Sequence, residues 1–374
     1  MDKREALIRL NLISGLGSVT VHRLMEAFES PEAIFEASPT VLKEVLGRWG
    51  TDTVIKEILR ADGDQGMAQE LQRAEKRGVR MITLLDLDYP ELLKTIADPP
   101  PVLYIKGTLI QEDIAAVAVV GTRAASPYGA SAARSLSGDL ARSGITVVSG
   151  LAEGIDGIGH EGALEAGGRT IAVLGHGLHY LYPPQHRKLA GQVAGSGCLV
   201  SEFPMEVGPR QENFPRRNRL IAGLSLGVIV VEAPLRSGAL ITAREALEQG
   251  REVFAVPGPI SSPRSKGCHQ LLKEGARLVE GVQDVLETLG PALKNQCNRF
   301  IQQPTAALNP PALRDLSKEE AVVFHALPVG SAAGVDALAH ATALAPSKLL
   351  GLLTSLELGG LIRQIPGQGY SRLS

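Results

Sequence analysis

Three arginines, Arg216, Arg217 and Arg219, crowd into the run FPRRNRLIAG, with Asn218 between the last two. A guanidinium is planar, permanently charged and able to hold phosphate oxygens through paired N–H donors, so this cluster points to a polyanion. A second group offers the same chemistry. Gly121-Thr122-Arg123 is followed by Ser126, Tyr128 and Gly129. Gly121 lets the backbone turn, Thr122 and Ser126 supply hydroxyls, and Arg123 supplies a forked donor. Together these would hold one phosphate. Glycine-rich segments recur at 149–156 (SGLAEGID), 175–179 (GHGLH), 237–242 (SGALIT, opened by Ser237 and Gly238) and 257–259 (PGP, trailed by Ser265-Lys266-Gly267). Any one of them says little, because glycine suits a tight turn. Five such segments and the arginine cluster, with interspersed Ser and Thr, indicate a phosphate-rich ligand.

The elements that must carry these loops are short Val/Ile/Ala-rich runs at 115–121, 145–150, 170–175, 227–233 and 252–258, alternating with helical segments. That alternation predicts a parallel sheet covered on both faces, a Rossmann-like α/β core over about 108–290. Ligands of such sheets bind beyond the strands' carboxyl ends, near helix N-termini, where the loops above fall. FPRRNR is read as a cationic loop entering a short helix.

Around the core, residues 1–82 read as a small helical domain. Leu7, Leu10, Leu12 and Ile13 end against Ser14-Gly15-Leu16-Gly17, and a second apolar face follows at Val21, Leu24, Met25 and Phe28. This resembles a SAM or helix-hairpin-helix unit, although a plain αα-hairpin needing glycine for its turn fits as well. Residues 83–290 form the extended Rossmann-like domain, opened by a turn-rich connector through Pro99-Pro100-Pro101. Residues 291–311 lack periodicity and read as a linker. Residues 312–374 give three helices and a terminal hairpin, with Leu349, Leu350, Leu353 and Leu356 striping the third helix before Gly359-Gly360. That pattern resembles a winged helix.

Composition bounds the function. With 44% apolar but 4% aromatic residues, the cores must be built from Ala, Val, Leu and Ile. A formal net charge of −2 means that nucleic-acid contact must come from a local patch. Three scattered cysteines suit a reducing compartment, and the absence of a signal-like or spanning segment predicts a cytoplasmic chain with no membrane partner. No Gly-Lys dipeptide occurs, which excludes a Walker A loop. Gly223-Leu224-Ser225-Leu226-Gly227 matches the nucleophile-elbow pattern but leads into a strand rather than a helix. The histidines 160, 176, 179 and 186 lack metal-ligand spacing. Glu232, Glu202 and Asp156 lie near strand ends, where each fits a ribose ligand, an acid–base group or a helix cap. No cofactor, metal or catalytic residue is expected.

The ordered segments YPELLKTIADPPPVLYIKG, VVGTRAASPYG, VVSGLAEGID, TIAVLGHGL, SEFP, FPRRNRLIAGLS, VVEA and SGALITAREALEQGREVFAVPG closely resemble the DNA-processing protein A family, also called Smf. The resemblance is near-complete from about 85 to 285. It implies a non-enzymatic recombination mediator of natural transformation. Such a protein binds single-stranded DNA without sequence preference, loads RecA, often displaces single-strand-binding protein, and dimerises through its Rossmann domains. It also implies a DNA pocket built from Arg123, Phe214, Arg216, Arg217 and Arg219, with Gly121, Ser237 and Gly238 beside it. Phe214 would then stack a base or plug the loop. One of the arginines is expected to pair with a rim carboxylate such as Glu202 or Glu232.

Two alternatives compete. The Rossmann variant also resembles phosphoribohydrolases acting on nucleoside monophosphates, although SGALITARE lacks their double glycine while keeping Glu245. A nucleotide-sensing module is the third reading. Departures from the family pattern at Gly159-His160, His179 and Pro184-Gln185-His186 weaken the comparison on that side of the pocket, and the winged segment's third helix carries only Lys348 as a cation.

Overall fold

Uninterrupted apolar tetrapeptides and pentapeptides build the centre of the chain, because strands covered on both faces need no polar side. The computed structural model describes residues 1–60, 64–291, 318–327, 333–342, 344–345, 348–349, 351–353, 356, 362–365 and 369–372. These fall into two units, Met1–Phe300 and Ile301–Ser374.

In the first unit, β1 (Val79–Thr83), β2 (Val102–Gly107), β3 (Ala116–Val120), β4 (Thr146–Ser149), β5 (Thr170–Leu174), β6 (Cys198–Ser201), β7 (Gly227–Val230), β8 (Glu252–Ala255) and β9 (Arg277–Leu278) make one sheet. Their order is β1-β2-β6-β5-β4-β3-β7-β8-β9. From β6 to β9 every pair is parallel, whereas β1–β2 and β2–β6 are antiparallel. The expected Rossmann-like core is present, and an antiparallel pair extends one edge.

Helices cover both faces: α1 (Lys3–Leu12), α2 (Ser18–Ala27), α3 (Ala33–Glu36), α4 (Pro39–Leu46), α5 (Asp52–Leu59), α6 (Asp64–Lys76), α7 (Glu91–Lys94), α8 (Pro127–Arg142), α9 (Ile155–Glu165), α10 (Arg187–Ser196), α11 (Asn213–Gly223), α12 (Gly238–Glu248) and α13 (Lys266–Lys273). Strand alternation sorts the core. Ala116, Ala118 and Val120 of β3 join Leu220, Ala239 and Leu271 of α11–α13, while Val117 and Val119 join Leu136, Leu140 and Ile155 of α8 and α9. A third cluster packs Leu7, Leu10, Val21 and Leu24 with Tyr104 of β2 and Leu174 of β5. The N-terminal helices therefore share a core with the sheet, and β1 straddles residue 82.

Three elements differ from the sequence reading. The segment after Pro99-Pro100-Pro101 is strand β2, since the prolines impose extended backbone that VLYIK continues into the sheet. Cys198–Ser201 is strand β6, too short and glycine-flanked to stand out. FPRRNR is no loop: it is the opening of α11, with Pro215 in the first turn where no intrahelical donor is needed.

In the second unit, helices Lys318–Ala326 and Val335–Thr342 accompany the antiparallel hairpin of β10 (Ile362–Ile365) and β11 (Gly369–Arg372). Ala333 bridges to Tyr370 beside that hairpin. Leu349, Leu353 and Leu356 are buried here with Val323, Leu338 and Ile362. The expected linker beyond Pro291, together with Leu350 and Gly359-Gly360, lies outside the described residues. No helix among the described residues is long and apolar enough to cross a membrane.

Candidate nucleic-acid interface

The chain leaves β3 for β4 on one side, while β7 borders β3 on the other, so the carboxyl ends of β3 and β7 flank a crevice at the switch point. Glu232, two residues past β7, fills its inner corner. Its carboxylate accepts the Ser126 backbone N–H at 2.9 Å and the Ser126 hydroxyl at 2.6 Å, and its carbonyl accepts the Thr122 N–H at 2.7 Å. Ser126 also caps α8, accepting the Gly129 N–H at 3.0 Å. Gly129 is obligatory, because a Cβ there would collide with the Glu232 carboxylate. Ser126 is therefore committed to internal bonds rather than held free for a phosphate, while Thr122 spends its backbone N–H on Glu232 and its Oγ1 accepts the Ala124 N–H at 3.2 Å. The positive end of α8 is already answered by an internal anion.

The arginine cluster separates by helical geometry. On a helix Arg217 and Arg219 point about 200° apart. Helix α11 is covered on both sides, so Arg217 and Arg219 are both buried while Arg216 faces solvent. Arg217, 4% exposed, donates to the Gly150 carbonyl at 2.7 Å, to the Val173 carbonyl, and to Asn218 Oδ1 at 3.2 Å. Burial lowers its guanidinium to about 10, with the Asp156 charge acting in the opposite sense. Asp156 accepts the Gly150 N–H at 3.1 Å, and burial raises its carboxyl. Gly150 must lack a side chain, since a Cβ would sit 2.5 Å from the Arg217 guanidinium. Next to it, buried Leu151 holds φ 56°, its carbonyl facing His186 Nδ1 at 2.9 Å.

Arg219 has a different task. Its guanidinium pairs with Glu202, reaches Asp98 Oδ2 at 3.2 Å, donates to the Asp98 carbonyl at 2.8 Å and meets Ser18 Oγ at 3.3 Å. It clamps α2 and the Pro99 connector to the end of β6. The expectation that Arg219 lines the ligand surface is therefore corrected, and Arg217 forms a floor rather than a rim. Asn218 is buried too, donating to the Gly238 carbonyl at 3.3 Å and so tying α11 to α12.

What remains open is narrower and more aromatic than the sequence suggested. Arg123 is exposed and makes no side-chain hydrogen bond or ion pair with a described residue. Its guanidinium carbon lies 5.4 Å from the Phe214 ring centre, and that of Arg217 lies 5.9 Å away. Both distances fall within cation–π range. Phe214 is half-buried, resting over Gly175 yet leaving part of its ring uncovered. Tyr182, 41% exposed, stands 6.0 Å from it with ring planes 43° apart. Arg216 lies 5.3 Å over Phe203. Ser237 caps α12, and Gly238 above it faces open space.

Sequence reasoning passed over Tyr182 as a ring partner, and also Arg210 and Arg236. These two exposed arginines precede α11 and α12 and form no side-chain bonds with described residues. Their signal was available in the sequence: each sits just ahead of a helix start at the strands' carboxyl edge. The histidines do not converge on a metal, and no such group of ligands occurs among the described residues. Buried His160 donates from Nδ1 to Thr170 Oγ1 at 2.7 Å, because the Thr170 hydroxyl proton is spent on the Val147 carbonyl at 2.7 Å. Burial lowers its pKa to about 3. His176 is buried as well, its Nδ1 donating to the Gly177 carbonyl at 3.0 Å.

The fold and crevice define a Rossmann-type α/β protein with a cationic, aromatic rim at the carboxyl edge of its sheet, followed in sequence by a winged-helix unit. Residues 80–290 match the family described as DNA recombination-mediator protein A, and residues 307–368 match the DprA winged helix domain. The chain belongs to the DNA recombination-mediator protein A family. Protein Smf of Escherichia coli is 44% identical over 293 residues, covering 76% of this chain and 75% of that one. The solved structure of DNA processing protein A from Streptococcus pneumoniae is 36% identical with a TM-score of 0.67, covering 77% of this chain and 98% of that one. That of Helicobacter pylori DNA processing protein A, described with a single-stranded DNA binding mode, is 32% identical with a TM-score of 0.51, covering 58% and 97%.

Proposed function

We propose that this chain is a single-stranded DNA-binding recombination mediator without enzymatic activity. The observation that carries the reading is an exposed Arg123, free of hydrogen bonds and ion pairs with described residues, over the partly uncovered ring of Phe214, with exposed Tyr182 beside that ring. An unpaired strand presents phosphates and base faces together. Arg123, with Arg216 and the flanking Arg210 and Arg236, neutralises the backbone, and Phe214 and Tyr182 stack bases. Each stacked base contributes about 1–3 kcal/mol irrespective of its identity, which gives binding without sequence preference. Gly121, Ser237 and Gly238 shape the backbone around that surface, while Thr122, Ser126, Arg217 and Asn218 hold it in place from below.

The Helicobacter pylori relative's described single-stranded DNA binding supports the same ligand here. Delivery of the strand to RecA, displacement of single-strand-binding protein, action in natural transformation, and dimerisation through the Rossmann domain are taken from the family resemblance. Against a nucleotide hydrolase or a mononucleotide sensor stands Glu232, whose carboxylate takes the α8 N-terminal donors that a nucleotide phosphate would need.

The test is a titration of oligothymidylate against duplex of equal length, with nucleoside monophosphates assayed for released base. Preferential, salt-sensitive binding of the single strand without base release is expected. Base release, or indifference to strandedness, would reject the proposal.

A further inference from the structure

Some distance along the loop that follows β5, a second cavity of about 340 Å³ opens beside α10. Its walls carry Arg77 from the turn between α6 and β1, Lys106 from β2 and Arg187 from the start of α10, with His179 and Tyr180 at its edge. Its floor is apolar, with Leu178 and Leu199 among the lining residues, and no carboxylate lines it. All three cations are exposed, and none makes a side-chain hydrogen bond or ion pair with a described residue. Tyr180 is 42% exposed and meets the His179 ring edge-on at 5.0 Å. In a chain of net charge −2, three exposed cations about one hollow with no carboxylate in its lining make a local positive potential that favours an anion there.

The cavity is connected to the first surface through one short piece of chain. Tyr182 faces Phe214, while Tyr180, two residues earlier, faces the cavity. Two residues span at most about 7 Å. A polymer lying across Phe214 and Tyr182 therefore reaches the cavity within a few nucleotides.

We propose that the cavity of Arg77, Lys106, Arg187 and Tyr180 is a second subsite for the same single strand, taking phosphates on its three cations and a base on Tyr180. The inference rests on the proposed function, since it extends that site. Lysine and arginine at the walls neutralise successive phosphates, and the tyrosine face with the apolar floor accepts any base. The subsite lengthens the bound segment and raises the number of counterions released on binding.

Anisotropy titrations of fluorescent oligothymidylates of increasing length, across a salt series, test this in the full chain. The variants are Arg123→Ala, the triple Arg77→Ala/Lys106→Ala/Arg187→Ala, and Tyr180→Ala. For the shortest oligonucleotide whose binding needs Arg123, the triple variant should match the wild type within about twofold. For longer ones it should bind at least about tenfold more weakly, with a salt slope shallower by about 2, from three phosphates at about 0.7 each. Tyr180→Ala should weaken only the longer oligonucleotides and leave the slope unchanged. Undiminished affinity of the triple variant at every length, or an equal loss at every length, would overturn the second subsite. If Arg123→Ala still weakens binding in that event, the first site survives; if neither variant has an effect, both fall. Thymidine 5′-monophosphate that fills the cavity without competing with the strand would also overturn it, since the cavity would then be a nucleotide site.

Discussion

Glu232 accepts both the backbone N–H and the hydroxyl of Ser126, at 2.9 and 2.6 Å. A side chain from the end of one strand thus neutralises the helix start that follows its neighbour. In a Rossmann-like sheet this helix start is where a ligand phosphate binds. The inner corner of the crevice is structural, and the proposed DNA surface lies further out, at Arg123, Phe214 and Tyr182.

That relationship makes Glu232 a stability residue. Glu232→Ala removes the acceptor of the Ser126 N–H and hydroxyl and leaves these part-buried donors unmet, so unfolding free energy should fall by about 1–3 kcal/mol. Urea denaturation measures it. A change indistinguishable from zero would mean that the α8 start does not depend on this carboxylate.

Arg219→Ala should be more damaging. It leaves Glu202 buried without its cation, and breaking one side of a buried pair costs about 3–5 kcal/mol. The replacement Arg219→Met with Glu202→Leu removes both charges and should recover most of that loss. In the recovered double variant, the salt dependence of oligonucleotide binding should equal that of the wild type. A shallower slope there would return Arg219 to the DNA surface.

Arg123 and Arg217, close in space through Phe214, should part in experiment. Arg123→Ala should leave the melting temperature unchanged and weaken single-strand binding about tenfold. Arg217→Ala should lower the melting temperature, since the Gly150 and Val173 carbonyls and the Asp156 charge lose their partner. Calorimetry and anisotropy on the same preparations separate the two. Equal melting temperatures for both variants would contradict the floor-and-rim division.

Acid should destabilise the fold partly through His160. Unfolded, this imidazole takes up a proton below its ordinary value of 6.5; folded, it resists until about 3. The stability it contributes is therefore complete above pH 6.5 and is lost as pH falls toward 3, at up to about 1.4 kcal/mol per pH unit. His160→Gln should flatten the stability profile between pH 6 and 4 by about one proton's slope. Profiles of equal slope would show that His160 is not buried neutral.

Much of the fold was legible because parallel strands buried on both faces are continuous apolar words. The runs around 116–120, 146–149, 170–174, 227–230 and 252–255 lie within a residue or a few of their expected positions. β2 escaped because its prolines read as a connector, and β6 because four residues after a glycine carry no periodicity. The site was less legible. FPRRNR displays its charge in sequence, but which way each arginine points depends on whether the segment is helix or loop. Arg217 and Arg219 are buried because the helix is covered on both sides, which only the tertiary packing reveals. The role of Glu232 required knowing that β3 and β7 are neighbours, a long-range pairing that local pattern does not reveal.

The central claim is that an exposed guanidinium beside partly uncovered aromatic rings grips an unpaired strand. Its most direct test is the affinity of wild type, Arg123→Ala and Phe214→Ala for one oligothymidylate across a salt series. The account predicts that Arg123→Ala weakens binding and makes the slope of log affinity against log salt shallower by about 0.7, one phosphate's worth. Phe214→Ala should weaken binding with the slope intact, because stacking releases no counterion. Unaltered affinity in both variants would contradict the account.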